Sequence, residues 1–187
     1  MKNADFTVSV KVDGAIFKDF ALFDTFHRQR RWKSPAIFVS IMLLFSLIAF
    51  SRVGKAEQAV LLGTVLLSIG LLLPVVYFLN FFLSVHTQVK KLGLNIPRYV
   101  YTLQFGKHSG VEISSDKEQV ALGWDELFAA YRTNRCIYLY AAPHRAYLLP
   151  NEQIENGADE LWALIISATP QLQLHDYRNG RHTPLAL

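Results

Sequence analysis

The chain has 187 residues, 51% hydrophobic, 13% aromatic and only 18% charged, with a mean hydropathy of +0.20 and a formal net charge of +4. A chain this apolar and charge-poor is neither disordered nor an ordinary water-soluble domain, and its length excludes a large multidomain enzyme.

In chain order, Phe6, Val8, Val10 and Val12 alternate with Thr7, Ser9 and Lys11, the pattern of a half-buried strand, and Asp13-Gly14 then reads as a turn. Asp19 can cap a helix in which Phe17, Phe20, Phe23 and Phe26 recur at three-residue steps before the basic run HRQRRWK. Residues 1–33 thus form a strand and a basic amphipathic helix. That helix reads as one packed on the C-terminal domain, with an interfacial anchor sensing anionic lipid as the alternative. Trp32 reads as an interface anchor rather than a ligand-stacking residue.

Residues 34–85 read as a transmembrane hairpin, with helices at about 34–51 and 59–85. Pro35 to Phe50 is free of charge for 16 residues, about 24 Å of helix, with Ser34 as cap and Pro35 in the first turn. Ala59 to Val85 is uncharged for 27 residues and spans by length alone. The seven-residue link, Arg52 to Gln58, permits only an antiparallel pair. A basic, folded-looking lead and the lack of a small-residue cleavage site at 46–51 argue against a secretory signal.

Charge sets the orientation. Arg28, Arg30, Arg31 and Lys33 precede the first helix, Lys90, Lys91 and Arg98 follow the second, and the link holds only Arg52 and Lys55. Seven basic residues against two place both termini in the cytoplasm. Residues 86–187 carry ten basic and ten acidic side chains, so the excess lies beside the membrane and nucleic acid is not an expected partner. Cys136, the single cysteine, suits a reducing compartment and reads as a small packing residue.

Residues 86–170 read as a small antiparallel β domain. Tyr99, Tyr101, Leu103 and Phe105 share one face. Val111 and Ile113, then Val120, Leu122 and Trp124, then Ile137 to Tyr140 and Ala146 to Leu149 complete five short strands. Turns fall at 107–110, 114–117, 133–135 and 142–145. Asp159 can cap a closing helix with Leu161, Leu164, Ile165 and Ala168 on one stripe, ended by Pro170. Residues 171–187 read as a loose polar tail.

Catalytic chemistry is not legible. The six histidines lack metal-ligand spacing, the lone cysteine removes the usual zinc sets, and there is no nucleophile elbow, phosphate loop or zincin motif. Asp125 and Glu126 are adjacent and read as surface charges at a strand end, since neighbours on a strand face opposite ways. No catalytic, cofactor or metal residue is assigned, and no cofactor is expected. In the second helix, Pro74 and Asn80 stand out: an amide in hydrocarbon seeks a helix-helix partner, and a proline frees a carbonyl. They are candidate contacts with a partner helix, with a second copy of the chain, or within the hairpin itself.

A strand meander closed by one helix is the plan of pleckstrin-homology (PH)-like domains. The runs Leu122-Gly123-Trp124-Asp125-Glu126-Leu127, Ile137-Tyr138-Leu139-Tyr140 and Ala146-Tyr147-Leu148-Leu149-Pro150-Asn151 resemble the C-terminal domain of YcxB-like bacterial membrane proteins. The preceding hairpin matches the family's order, so the resemblance extends to about Ala168, with a departure at Asn151, where the family often has a basic residue. It implies an inner-membrane protein with a cytoplasmic PH-like domain and implies no activity. The expected fold is α+β, a two-helix transmembrane hairpin plus an antiparallel β domain capped by a helix. The expected function is a non-catalytic membrane-anchored adaptor, with the bilayer and a protein or peptide as partners and a homo-oligomer as a further expectation. The alternative is a self-immunity factor against an antimicrobial peptide, or an accessory subunit of a peptide transporter.

Overall fold

The computed structural model describes residues 5–116, 118–155, 157–169, 173–178 and 183–184. The expected turn residue Lys117, the stop at Pro170 and much of the expected tail lie outside these. The chain divides into two compact units, residues 17–93 and a discontinuous unit of 1–16 with 94–187.

The discontinuous unit holds two sheets. β1 (Phe6–Val12), β2 (Arg98–Gly106), β3 (Gly110–Ser114) and β4 (Gln119–Leu122) form the first in that order, all antiparallel. The first strand of the chain therefore pairs with a strand that follows the long helices, so those helices are an insertion within one β domain. Alternation decides this packing: Val8, Val10 and Val12 are buried, as are Leu103, Phe105, Val111 and Ile113. A bulge at Val10/Lys11 pairs Val10 with Tyr101 and Lys11 with Tyr99. The four-residue face expected for β2 therefore breaks at its start, and Tyr99 is 62% exposed with the Lys11 ammonium 4.5 Å from its ring.

Two sheets replace the single sheet expected. Trp124–Glu126 form a 3-10 turn after β4, so Trp124 does not continue that strand, and the Glu126 carboxylate accepts the Gly123 N–H at 2.8 Å. Beyond it, β5 (Ala129–Arg132), β6 (Cys136–Ala142) and β7 (Arg145–Pro150) form a second sheet in the order β7-β6-β5-β8-β9. β5 has no alternation because all four of its residues are buried, as a strand covered on both faces requires. β8 (Gln173–Asp176) joins β5 in parallel and β9 (Thr183–Pro184) pairs with β8, so the expected loose tail contributes strands.

The closing helix, α4 (Ala158–Ala168), lies between β7 and β8 in the chain and buries Leu161, Trp162 and Ile165. Its N-cap is Gly157 at φ 90°, not Asp159, which stands in the first turn. Cys136 is buried in β6.

In the other unit, α1 (Gly14–Leu22), a π-helical turn (Phe23–Arg28), α2 (Lys33–Phe50) and α3 (Ala59–Lys91) follow in order, the first residues of α1 belonging to the β domain. Asp13 caps α1 by accepting the Ile16 N–H at 2.8 Å, which converts the expected turn into a helix start and leaves Asp19 in the helix interior. α2 starts at Lys33 with Trp32 as N-cap, and Ser34 makes no cap bond. α3 runs six residues past the expected end at Val85, giving 33 residues or about 50 Å. α2 and α3 are long and apolar enough to cross a membrane.

The hairpin packs through small residues. A Cβ at Gly63 would come within 2.7 Å of the Phe50 ring, and one at Gly70 within 2.7 Å of Met42 Cβ. The buried Ser46 hydroxyl donates to the Gly63 carbonyl at 2.9 Å.

Candidate functional site

Among the described residues four strands, β1, β4, β7 and β9, lie at sheet edges, and side chains close β1 and β7. Gln153 treats the β1 bulge as a strand would: its Oε1 accepts the Lys11 N–H at 2.7 Å and its Nε2 donates to the Lys11 carbonyl at 2.8 Å. On β7, the Tyr101 hydroxyl accepts the Leu148 N–H at 2.6 Å and donates to the Leu148 carbonyl at 3.0 Å. Burial pushes the Tyr101 hydroxyl well above the ordinary tyrosine pKa, against the opposing effect of its bond with Leu148.

β4 is the outer strand of the first sheet. Ser115 N–H donates to the Glu118 carbonyl at 2.9 Å, and the register pairs Ser114 with Gln119, Ile113 with Val120 and Glu112 with Ala121. Antiparallel alternation then turns the N–H groups of Gln119 and Ala121 away from β3. Both residues are exposed, while Val120 and Leu122 are half-buried. The start of β4 is fixed from its flank, where Glu112 accepts from Gln119 at 2.7 Å and Glu118 accepts from Arg145 at 2.7 Å.

The strands around this edge are held by tight chemistry. Gly110, at φ 86°, leaves no room for a side chain, since a Cβ would stand 2.1 Å from the Leu122 carbonyl oxygen. Trp124 stacks on Phe105 with centroids 6.3 Å apart, and its indole N–H is shared between the carbonyls of Gly106 at 3.1 Å and Lys107 at 3.2 Å. The Asn151 amide donates to the carbonyls of Thr133 at 3.3 Å and Asn134 at 3.0 Å, and its N–H to Arg135 at 2.8 Å. Residues 109–163, running from β3 to α4, match the family model described as YcxB-like protein.

This part of the chain is similar to the YcxB-like family. No curated protein and no solved structure matches the chain. The matched segment contains β4 and the contacts that fix it, and Asn151 fixes its corner. In the same segment Arg132, 3% exposed on β5, donates to Asp159 at 2.8 Å, and Arg178 beyond the segment donates to Asp159 at 2.9 Å. The hydrogen bond from Arg132 holds the Asp159 carboxyl below the usual carboxylate range, with its charge and that of Arg178 adding to the effect. Among the described residues no three metal-capable side chains gather.

The residues selected from the sequence as membrane-interface groups lie in the helical unit. Arg28 is paired with Asp24 in the π-helical turn. Arg30 adopts φ 51°, the left-handed region, and Arg30, Arg31, Trp32 and Lys33 are exposed. Lys90 and Lys91 form the last turn of α3. The amphipathic segment packs on α3 rather than standing alone: the Phe26 ring lies 5.6 Å from Phe78 and 4.9 Å from Phe81.

Pro74 and Asn80 are separated in role. Ser46 and Gly63 make the interhelical bond of the hairpin, whereas Asn80 is exposed and lines a cleft of about 460 Å³ with Phe17, Phe20, Arg31 and Tyr77. Pro74 lines a second cleft of about 400 Å³ with Arg31, Ser34, Phe38, Leu73 and Tyr77. Sequence reasoning missed Tyr77, Gly63 and Gly70. The spacing of Gly63 and Gly70, two turns apart on α3, was the available signal.

Proposed function

We propose that the chain is a two-pass, non-catalytic adaptor of the bacterial inner membrane, whose β domain, PH-like in plan, captures an extended segment of a protein partner along β4. The observation that carries this reading is the contrast between edges. The β1 and β7 edges have side chains bonded to their peptide groups at Lys11 and Leu148, while β4 is an outer strand whose Gln119 and Ala121 N–H groups face away from its neighbour. Adding a strand to such an edge gives main-chain affinity, with side chains of the added strand supplying specificity.

The insertion of the hairpin supports the topology. β1 leads into the helices and β2 leaves them, and the two strands are hydrogen-bonded neighbours, so both emerge on one side of any bilayer the hairpin crosses. The basic residues flanking the hairpin make that side the cytoplasm.

The test is affinity purification of the tagged full-length chain from its native membranes in mild detergent, followed by mass spectrometry, comparing wild type with Ala121→Pro. Proline removes an outward N–H without breaking the β3 ladder. A stoichiometric partner lost in A121P supports the reading. A partner retained equally by A121P overturns the β4 site.

A further inference from the structure

The helical unit carries a second recognition feature that the adaptor reading leaves unused. Arg31 lines both of the clefts described above, as does Tyr77. One cleft continues from Arg31 over Ser34 and Pro35 to Phe38, Leu73 and Pro74, so a cation and a hydroxyl stand at one end and carbon surface at the other. The neighbouring cations differ in state. Arg28 is neutralised by Asp24, whose other oxygen accepts from Gln29, whereas the Arg31 guanidinium has no hydrogen-bond or ion-pair partner among the described residues.

Depth agrees with this polarity. α2 has 18 residues, about 27 Å, and Tyr77 stands 18 residues beyond Ala59, also about 27 Å along α3. Arg31 and Tyr77 therefore meet at the level where the hydrocarbon ends, and Leu73 and Pro74 lie about one turn deeper and Phe38 about two.

We propose that this cleft binds one anionic phospholipid, its phosphate on Arg31 with Ser34 and Tyr77 as hydroxyl donors, and an acyl chain laid along Phe38, Leu73 and Pro74. Charge complementarity selects this occupant: a partner helix would fill the carbon surface but leave the guanidinium unmatched, and a free phosphate would leave the carbon surface open. Arginine suits the phosphate because its planar fork donates two parallel bonds. The inference rests on the membrane reading of α2 and α3 and is independent of the β4 edge.

The experiment uses the full chain reconstituted in nanodiscs containing equal amounts of phosphatidylglycerol and phosphatidylcholine, released into detergent and examined by native mass spectrometry. Wild type retains one phosphatidylglycerol. Arg31→Gln reduces that occupancy roughly tenfold, the effect of losing one charge-assisted contact. Leu73→Trp fills the groove without touching charge and reduces it as well, and Lys33→Gln, which removes an equal charge outside the cleft, leaves it unchanged. Equal losses in R31Q and K33Q mean general attraction of a basic collar and overturn the site, as do equal retention in all variants, a lipid-free dimer, or indifference between the two headgroups. Release of the wild-type chain from native membranes by alkaline carbonate overturns the membrane reading itself, and the lipid site with it.

Discussion

The hydroxyl of Tyr101 holds both peptide groups of Leu148, accepting its N–H at 2.6 Å and donating to its carbonyl at 3.0 Å. One side chain of β2 in the first sheet thereby completes the edge of β7 in the second, and the Tyr101 and Tyr147 rings meet edge-on at 5.5 Å beside it. A backbone edge left open invites another chain, so this bond both joins the two sheets and removes β7 as a docking strand.

Tyr101→Phe is accordingly predicted to lower stability by about 1–3 kcal/mol, because two peptide groups of Leu148 lose their partner while ring packing persists. Thermal unfolding of the full-length protein in detergent measures it. The sign with pH also follows. Burial raises the folded-state pKa of Tyr101, so the buried neutral hydroxyl contributes stability that is complete below the ordinary tyrosine pKa of about 10 and declines as pH rises above it. Y101F should weaken that alkaline decline.

Deleting residues 1–15 is predicted to unfold the β domain. Val8, Val10 and Val12 are at most 4% exposed, and each buried side chain is worth about 1.5–3 kcal/mol, together a large share of a typical net stability of about 5–15 kcal/mol. Limited proteolysis reads the outcome through rapid cleavage within 98–150. Unchanged protection there would show that β2 needs no partner.

Gly70→Ala is predicted to loosen the hairpin by about 1–3 kcal/mol, since its methyl would come within 2.7 Å of Met42 Cβ, an atom that moves only with the α2 backbone. Detergent unfolding curves of the two variants should rank G70A below Ser46→Ala, which removes one bond of about 0.6 kcal/mol in membrane hairpins.

Asp159 predicts an acid limb. Its folded-state pKa is lowered by Arg132, so its contribution is complete above the ordinary carboxylate pKa and is lost as pH falls below it. Asp159→Asn should flatten the loss of melting temperature below about pH 4 and leave the alkaline side unaltered.

Much of the fold was legible because periodicity exposes it. The uncharged run of α3 announces itself by length, that of α2 by its lack of charge between basic flanks, and Val8, Val10 and Val12 by alternation. What escaped has physical reasons. β5 is buried on both faces and shows no alternation, β8 is short and polar, and Trp124 turns the chain because Gly123 and Glu126 close a cap around it. Asp159 suited a cap by type but was taken by a buried arginine 27 residues away in sequence. At the candidate sites, Arg31 was legible as one of several basic membrane-interface residues and Pro74 as a departure within the second apolar run. Their meeting in one cleft depends on how α2 folds back on α3, and the openness of β4 depends on what Tyr101 and Gln153 do elsewhere, neither of which a one-dimensional pattern records.

The central claim is that a hairpin is inserted between two paired strands of one β domain, and a cross-link tests it most directly. Ser9 and Thr102 are register partners on β1 and β2, with side-chain oxygens 3.4 Å apart. In a Cys136→Ala background, Ser9→Cys with Thr102→Cys, mildly oxidised in isolated membranes and then cut at a protease site engineered into residues 52–58, should run as one species without reductant and as two fragments with it. Separation into two fragments without reductant, under oxidation that links a control pair at Thr102 and Ser114 on β2 and β3, would contradict the account.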